Sequence, residues 1–216
     1  MRIAVLGGTG DMGYGLSLRL AMAGEEVVIG SRVAEKAQEA ADKAKSATNC
    51  EQITGAENRA AAESAELVII AVPTSGHRAL ITSLRDVLSK KNILDVTVPI
   101  GFKPLRYAPP AEGSNALETL AVLGEETYIA CGFHTVSASL LEDLSSQLSG
   151  DVLICGNNDA LKETLIALSK KMGFTAYNAG SLYLSSSLEG LTPMLIGLNK
   201  RYNSNHTGIG IVGVGL

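Results

Sequence analysis

Ile3-Ala4-Val5-Leu6-Gly7-Gly8-Thr9-Gly10-Asp11-Met12-Gly13 is the stretch on which the fold turns. Four apolar residues ending at glycines make a short, fully buried strand. From about Met12 to Ala23 the pattern is helical, with Leu16, Leu18, Leu20 and Met22 among its apolar members. Gly24 stops it, as a glycine just past a helix end does. A G-x-G-x-x-G that follows a buried strand and opens a helix is the dinucleotide-binding fingerprint. On that reading Gly8 makes the tight turn, Gly10 lets a pyrophosphate approach the backbone, and Gly13 lets the helix pack close to the sheet. The amides and dipole of the helix N-terminus, around Met12, hold the diphosphate. Asp11 is awkward beside an anion and is expected to point away from the phosphates or to cap the helix.

Outward from this unit, strands and helices alternate. Strands are expected at Glu26–Gly30, Cys50–Thr54, Leu67–Val72, Asn92–Val98 and Thr127–Cys131. Helices are expected at Ala34–Ala47, Asn58–Ser64, Gly76–Leu88 and Asn115–Leu123. Ile100–Ser114, with its prolines and glycines, reads as a long loop. Alternation of this kind needs crossover connections, so the fold class is α/β, a Rossmann-type doubly wound parallel sheet. After Gly150 the pattern restarts with strand Val152–Cys155, helix Asn158–Lys171, strand Phe174–Asn178 and helix Ser185–Tyr202. Residues 1–150 are therefore read as a nucleotide-binding domain and 151–216 as a smaller C-terminal α/β lobe. The apolar, glycine-rich tail Gly208–Leu216 is expected to pack on a surface or across an interface.

Composition narrows the function. Hydrophobic residues are 46% and charged residues 19% of the chain, which excludes an intrinsically disordered protein. A net charge of −4 without Trp disfavours nucleic acid as a partner. Cys50, Cys131 and Cys155 are far apart and in no C-x-x-C arrangement. Free thiols in a reducing compartment are expected, without a zinc site or disulfide framework. Met1-Arg2 leads into an apolar run too short for a secretory signal, and no segment is long enough to span a membrane. A cytoplasmic protein is expected.

The second strand discriminates between dinucleotides. A site for NAD places an acid at its tip to hold the ribose 2′-OH. Here the tip is Gly30-Ser31-Arg32, with Lys36 one helical turn later. Two positive charges with Ser31 and Thr9 hydroxyls suit a 2′-phosphate, hence NADP(H). The competing reading of Arg32 and Lys36 is a solvated surface. The third strand ends in Ala71-Val72-Pro73, where small apolar residues would pack on the cofactor at the switch point. Val72, Pro73 and His77 are candidates for lining the site, with His77 set against a surface residue that opens the following helix.

Together with Gly15-Leu16-Ser17-Leu18-Arg19-Leu20, His134-Thr135 and Leu188-Glu189-Gly190-Leu191-Thr192-Pro193, these motifs resemble the NADPH-dependent coenzyme F420 reductases of archaea and some actinobacteria. The likeness runs over essentially the whole chain. It implies a homodimer, and cofactors, NADP(H) and coenzyme F420, that meet in a cleft between the nucleotide-binding domain and the C-terminal lobe of the chain. It implies that Thr9, Ser31, Arg32 and Lys36 take the 2′-phosphate. It also implies that His134, Thr135 and Val136, and the region near Thr207, face the deazaflavin. Reduction of a deazaflavin places charge on its N1–C2 carbonyl edge, where a hydrogen-bond donor helps. His134 is the candidate catalytic residue, through its ring or its neighbouring backbone N–H, set against a structural histidine at a strand end. Lys103, Arg106, Lys200 and Arg201 are candidates to attract the anionic F420 tail.

Two other functions fit the first half of the chain. One is an NADPH-dependent flavin or ferric reductase, and the other a non-catalytic NADP(H)-binding redox sensor. Hydroxyacid and imine reductases share the same core but carry a long helical C-terminal domain, for which too little chain remains after Gly150.

Overall fold

A computed structural model describes residues 1–214. The elements in order are β1 (Arg2–Leu6), α1 (Asp11–Met22), β2 (Glu26–Ser31), α2 (Ala34–Thr48), β3 (Ile53–Glu57), α3 (Asn58–Ser64) and β4 (Leu67–Ile70). There follow α4 (Thr74–Ser83), α5 (Arg85–Leu88), β5 (Asn92–Asp95), β6 (Ile100–Phe102), β7 (Leu105–Tyr107) and α6 (Asn115–Leu123). The chain continues through β8 (Ile129–Cys131), α7 (Ala138–Glu142), β9 (Asp151–Gly156), α8 (Asp159–Met172), β10 (Thr175–Ser181) and α9 (Ser185–Tyr202).

Eight strands form one sheet in the order β10-β9-β8-β5-β4-β1-β2-β3. The six strands from β3 to β8 run parallel. β9 runs antiparallel to β8, and β10 parallel to β9. The chain thus reverses the direction of winding between β1 and β4, where a doubly wound sheet opens its crevice. From residue 151 the chain does not start a second sheet; the C-terminal lobe adds β9 and β10 to the edge of the first.

Alternate residues of the buried strands face opposite layers, as the two-residue period requires. Ile3 and Val5 pack with Leu16, Leu20 and Leu165 on the face covered by α1, α2 and α8. Ala4 and Leu6 pack with Ile81, Leu88 and Leu120 on the other. Gly24 adopts φ +87 after α1, the left-handed turn expected of it. Three local expectations are corrected, the first being the strand expected at Cys50–Thr54, which lies at Ile53–Glu57. The 100–107 stretch holds a β6–β7 hairpin rather than loop. The helix expected over 76–88 breaks at Leu84 into α4 and α5. α7 lies in a stretch without a clear period. Of the tail, Gly215 and Leu216 lie outside the described residues.

Candidate functional site

The carboxyl ends of β1, β2, β4, β5 and β8 converge on one edge of the sheet. At β1 the turn is tight. Gly7 adopts φ +79, and its N–H and that of Gly8 both donate to Gly30 O, at 3.1 and 3.0 Å. The left-handed residue is therefore Gly7, not Gly8. Gly8 is needed for close approach, since a Cβ there would lie 2.8 Å from Val5 O. A Cβ on Gly13 would lie 2.7 Å from Gly7 O and 2.8 Å from Gly8 Cα, so α1 sits directly on the turn. Gly10 differs. It is exposed, precedes α1, and the nearest heavy atom to a Cβ there is Gly7 O at 3.5 Å. Its lack of a side chain serves open space, as a backbone approached by a diphosphate demands.

No described side chain caps α1 at Gly10. The first-turn amides of a helix have no partner within the helix, so they remain available to an anion. Asp11 is exposed in the first turn and does not cap the helix. Thr9 is exposed, and Met12 is half-buried against the core. The bonds to Gly30 O tie the tip of β2 to this turn. There Ser31 is buried and accepts from Val33 N at 3.3 Å, while Arg32 and Lys36 are exposed. β4 closes the other side. Ala71 N donates to Leu6 O at 2.9 Å, and a Cβ on Gly7 would meet Val72 Cγ1 at 2.7 Å. Ala71 and Val72 are half-buried and Pro73 is exposed.

Past β8, Phe133 turns the chain with φ +65, and His134, Thr135 and Val136 are all buried. His134 Nε2 lies 3.2 Å from Thr97 O. A carbonyl can only accept, so Nε2 carries the hydrogen. Burial pushes the ring down to about 4, against the Asp95 charge and the Thr97 carbonyl. The ring is neutral, and Nδ1, buried without a described partner, is a bare acceptor. This corrects one expectation: the ring cannot donate to a deazaflavin edge, because its single N–H is held by Thr97. His134 O accepts from Thr192 Oγ1 of α9 at 2.8 Å.

Thr135 Oγ1 donates to Asp151 O at 3.0 Å. The Thr207 hydroxyl is occupied as well, 2.8 Å from Asn199 Oδ1 and 3.1 Å from Leu195 O. The tail then folds back over the loop after β8. Ser137 Oγ donates to Asn205 O at 2.7 Å, and Asp151 N to Ile209 O at 2.7 Å. A buried Arg19 on α1 supports this loop from behind, donating to the carbonyls of Leu140, Leu141 and Asp143. Lys103, Arg106, Lys200 and Arg201 are exposed, the first two on the hairpin and the others at the end of α9.

The sequence reading missed a buried ionic group below β4 and β5. His77 is not at the surface but fully buried. Its Nδ1 lies 2.7 Å from Glu118 Oε2 and its Nε2 2.8 Å from Asp95 Oδ2. Burial pulls the imidazole down, but the two carboxylates outweigh it and push it up to about 9. Glu189 of α9 is also fully buried and accepts from the Asn115 and Ala116 amides and from Tyr107 Oη. Burial pushes its carboxyl up to about 7 despite those donors, and Asp95 adds to the rise. The available signal was a lone acid, Asp95, at the end of an apolar strand.

The chain matches the family model described as NADP oxidoreductase, coenzyme F420-dependent, over residues 2–99. It is 40% identical over 220 residues to the F420-dependent NADP reductase of Methanocaldococcus jannaschii, covering 98% of each chain. It is 40% identical over 219 residues to the protein of the same name from Methanothermobacter thermautotrophicus, covering 98% of this chain and 94% of that one. A crystal structure described as a putative F420-dependent NADP reductase from Arthrobacter sp. FB24 superposes with a TM-score of 0.83 at 25% identity, covering 98% and 99% of the two chains.

Proposed function

The chain belongs to the family of F420-dependent NADP reductases and is an oxidoreductase passing hydride between NADP(H) and coenzyme F420; we propose that it works in the crevice where β1, β4, β5 and β8 end. The end-to-end likeness to reductases of that name carries this reading. The bound pair carries the bond changes of the reaction. The protein's task is to hold two planar rings at near-attack distance, roughly 3–3.5 Å.

Each residue then has a task. Gly8, Gly10 and Gly13 leave the backbone and the α1 amides open to the diphosphate of NADP(H). Thr9, Ser31, Arg32 and Lys36 take the 2′-phosphate. Ala71, Val72 and Pro73 supply an apolar wall. His134, Thr135 and Val136 floor the deazaflavin side. Thr207 acts through the backbone around it, because its hydroxyl is already occupied. In functional terms, residues 1–150 bind NADP(H) and 151–216 close the F420 side. A homodimer is supported by the exposed Phe102, Tyr183 and Met194, large apolar side chains that association would cover. Light scattering at twice the 22.5 kDa chain mass tests it. Among the described residues no helix is long and apolar enough to cross a membrane, and a cytoplasmic location is part of the proposal.

The test mixes purified protein, NADPH and F420 and follows the absorbance of both, then repeats with NADH, FMN and a ferric chelate. Matched oxidation of NADPH and reduction of F420, with little activity on NADH, is expected. Reduction of FMN or iron with F420 untouched would move the function to the flavin or ferric reductases. Binding without any turnover would leave a sensor.

A further inference from the structure

We infer that His77 is a positioning residue for hydride transfer: clamped between Asp95 and Glu118, it holds the turn after β5 whose carbonyl orients His134. The inference rests on the reading of the crevice given above. Both carboxylates are already engaged as acceptors from other donors. Asp95 Oδ1 accepts from Thr97 N at 3.0 Å and Thr97 Oγ1 at 2.6 Å, and Oδ2 from Thr119 Oγ1 at 2.7 Å. Glu118 Oε1 accepts from Arg78 Nε at 2.8 Å. A carboxylate oxygen faces each ring nitrogen of His77, at 2.7 and 2.8 Å, the arrangement in which both nitrogens donate and the ring is an imidazolium. Arg78 is shared between Glu118 and Glu112, so His77 is the cation that faces both Asp95 and Glu118, in a place where His77, Asp95, Thr97, Glu118 and Thr119 are all more than nine-tenths buried. A neutral ring there would leave a lone pair facing a carboxylate, with the Thr119 hydroxyl, 3.1 Å from Nε2, the other group in reach.

Thr97 transmits the clamp. Its N–H and hydroxyl both reach Asp95, and its hydroxyl also accepts from Asn115 Nδ2 at 2.8 Å. With the peptide so fixed, Thr97 O takes the Nε2–H of His134 and sets which nitrogen is left bare. Asn115 reaches Thr74 Oγ1 at 3.3 Å as well, and Thr74 Oγ1 donates to Val98 O at 2.7 Å, joining the start of α4 to the same turn. The glycine turn and the Ser31–Arg32 tip share no hydrogen bond with this group. Loss of the clamp should therefore slow hydride transfer more than it weakens NADPH binding.

The experiment compares His77→Gln, Thr97→Val and the conservative Thr97→Ser with the wild type. Thermal midpoint, NADPH affinity, kcat and KM for F420, and nitrogen–proton correlation spectra of the imidazoles are measured for each. Wild-type His134 should appear as a neutral ring with its hydrogen on Nε2. His77→Gln and Thr97→Val should lower kcat by roughly tenfold or more while NADPH affinity stays within about threefold, since misplacement near 1 Å is enough for such a loss. Both should also erase the single-tautomer signature of His134, and Thr97→Ser should keep rate and signature. A lower midpoint with unchanged kcat and an unchanged His134 signature would overturn the inference and leave His77 as a brace of the fold. If His77→Gln does not fold, Thr97→Val decides, being nearly isosteric and leaving the ions in place. If the wild type fails to reduce F420, the reading of the crevice has failed and the role in hydride transfer falls with it, whereas intact turnover with unchanged variants overturns the inference alone.

Discussion

Two glycines three positions apart answer to opposite demands. Gly13 is forced by the protein itself, because a Cβ would press on Gly7 O and Gly8 Cα. Gly13→Ala is expected to lower stability by about 1–3 kcal/mol, the usual cost of overpacking, read as a shift of the urea midpoint. Gly10 is forced by nothing in the protein. Gly10→Asp places a favoured N-cap before α1, so the midpoint should hold or rise, while the new carboxylate should abolish NADPH binding in a titration. A short midpoint with intact binding would reverse the assignment. Arg32→Ala should weaken NADPH by about 1.5–3 kcal/mol and leave NADH unchanged, as loss of one charge-assisted contact to the 2′-phosphate does. The grouping of these residues was legible because it lies in local spacing: strand, glycines, helix, strand tip. His77 was not, because its partners stand 18 and 41 residues away and only the packing of α4, β5 and α6 brings them together. For His134 the position was legible, whereas its hydrogen-bonding sense was not, since that depends on the carbonyl of Thr97.

Elements with a strong period and clean ends are found where the chain implies them. Asn58–Ser64 and Ser185–Tyr202 match to the residue, the latter continuing helical through a buried Pro193. The β6–β7 hairpin escaped because three-residue strands leave too few positions to show alternation. The direction of β9 escaped for another reason. Periodicity carries no sense of direction, and the 132–150 connection is long enough to return the chain either way. That reversal has a consequence: it brings Asp151, the first residue of β9, to the crevice end of the sheet, where Thr135 and the tail both bond to it. The tail is thus a strap across the loop after β8 rather than a loose end. Deleting residues 205–216 removes the Asn205 and Ile209 carbonyls from Ser137 and Asp151. It is expected to raise KM for F420 several-fold with NADPH affinity little changed, because among the described residues the strap shares no hydrogen bond with the glycine turn. Equal loss for both cofactors in steady-state kinetics would show that the strap supports the whole sheet instead.

At the scale of the molecule, several buried ionisable groups lie near one crevice, and three of them, His77, Glu189 and His134, govern how stability changes between about pH 4 and 9. His77 is raised from its ordinary 6.5 to about 9 by Asp95 and Glu118 acting against burial. Its contribution is complete below pH 6.5 and is lost as pH rises through 9. Burial raises Glu189 from 4.5 to about 7, so its contribution is complete below 4.5 and is lost as pH rises through 7. His134 runs the other way: lowered by burial from 6.5 to about 4, it is complete above 6.5 and lost as pH falls through 4. Between pH 4 and 6.5 the two senses oppose each other. Above 6.5 both remaining contributions fall together. Stability should therefore decline steadily from pH 6.5 to beyond 9, measured as urea midpoints across that range, and His77→Gln should flatten the part of the slope above pH 7. A midpoint that rises over the same interval in the wild type would mean that His77 is not held charged in the fold, because a neutral buried imidazole gains no further penalty as protons leave.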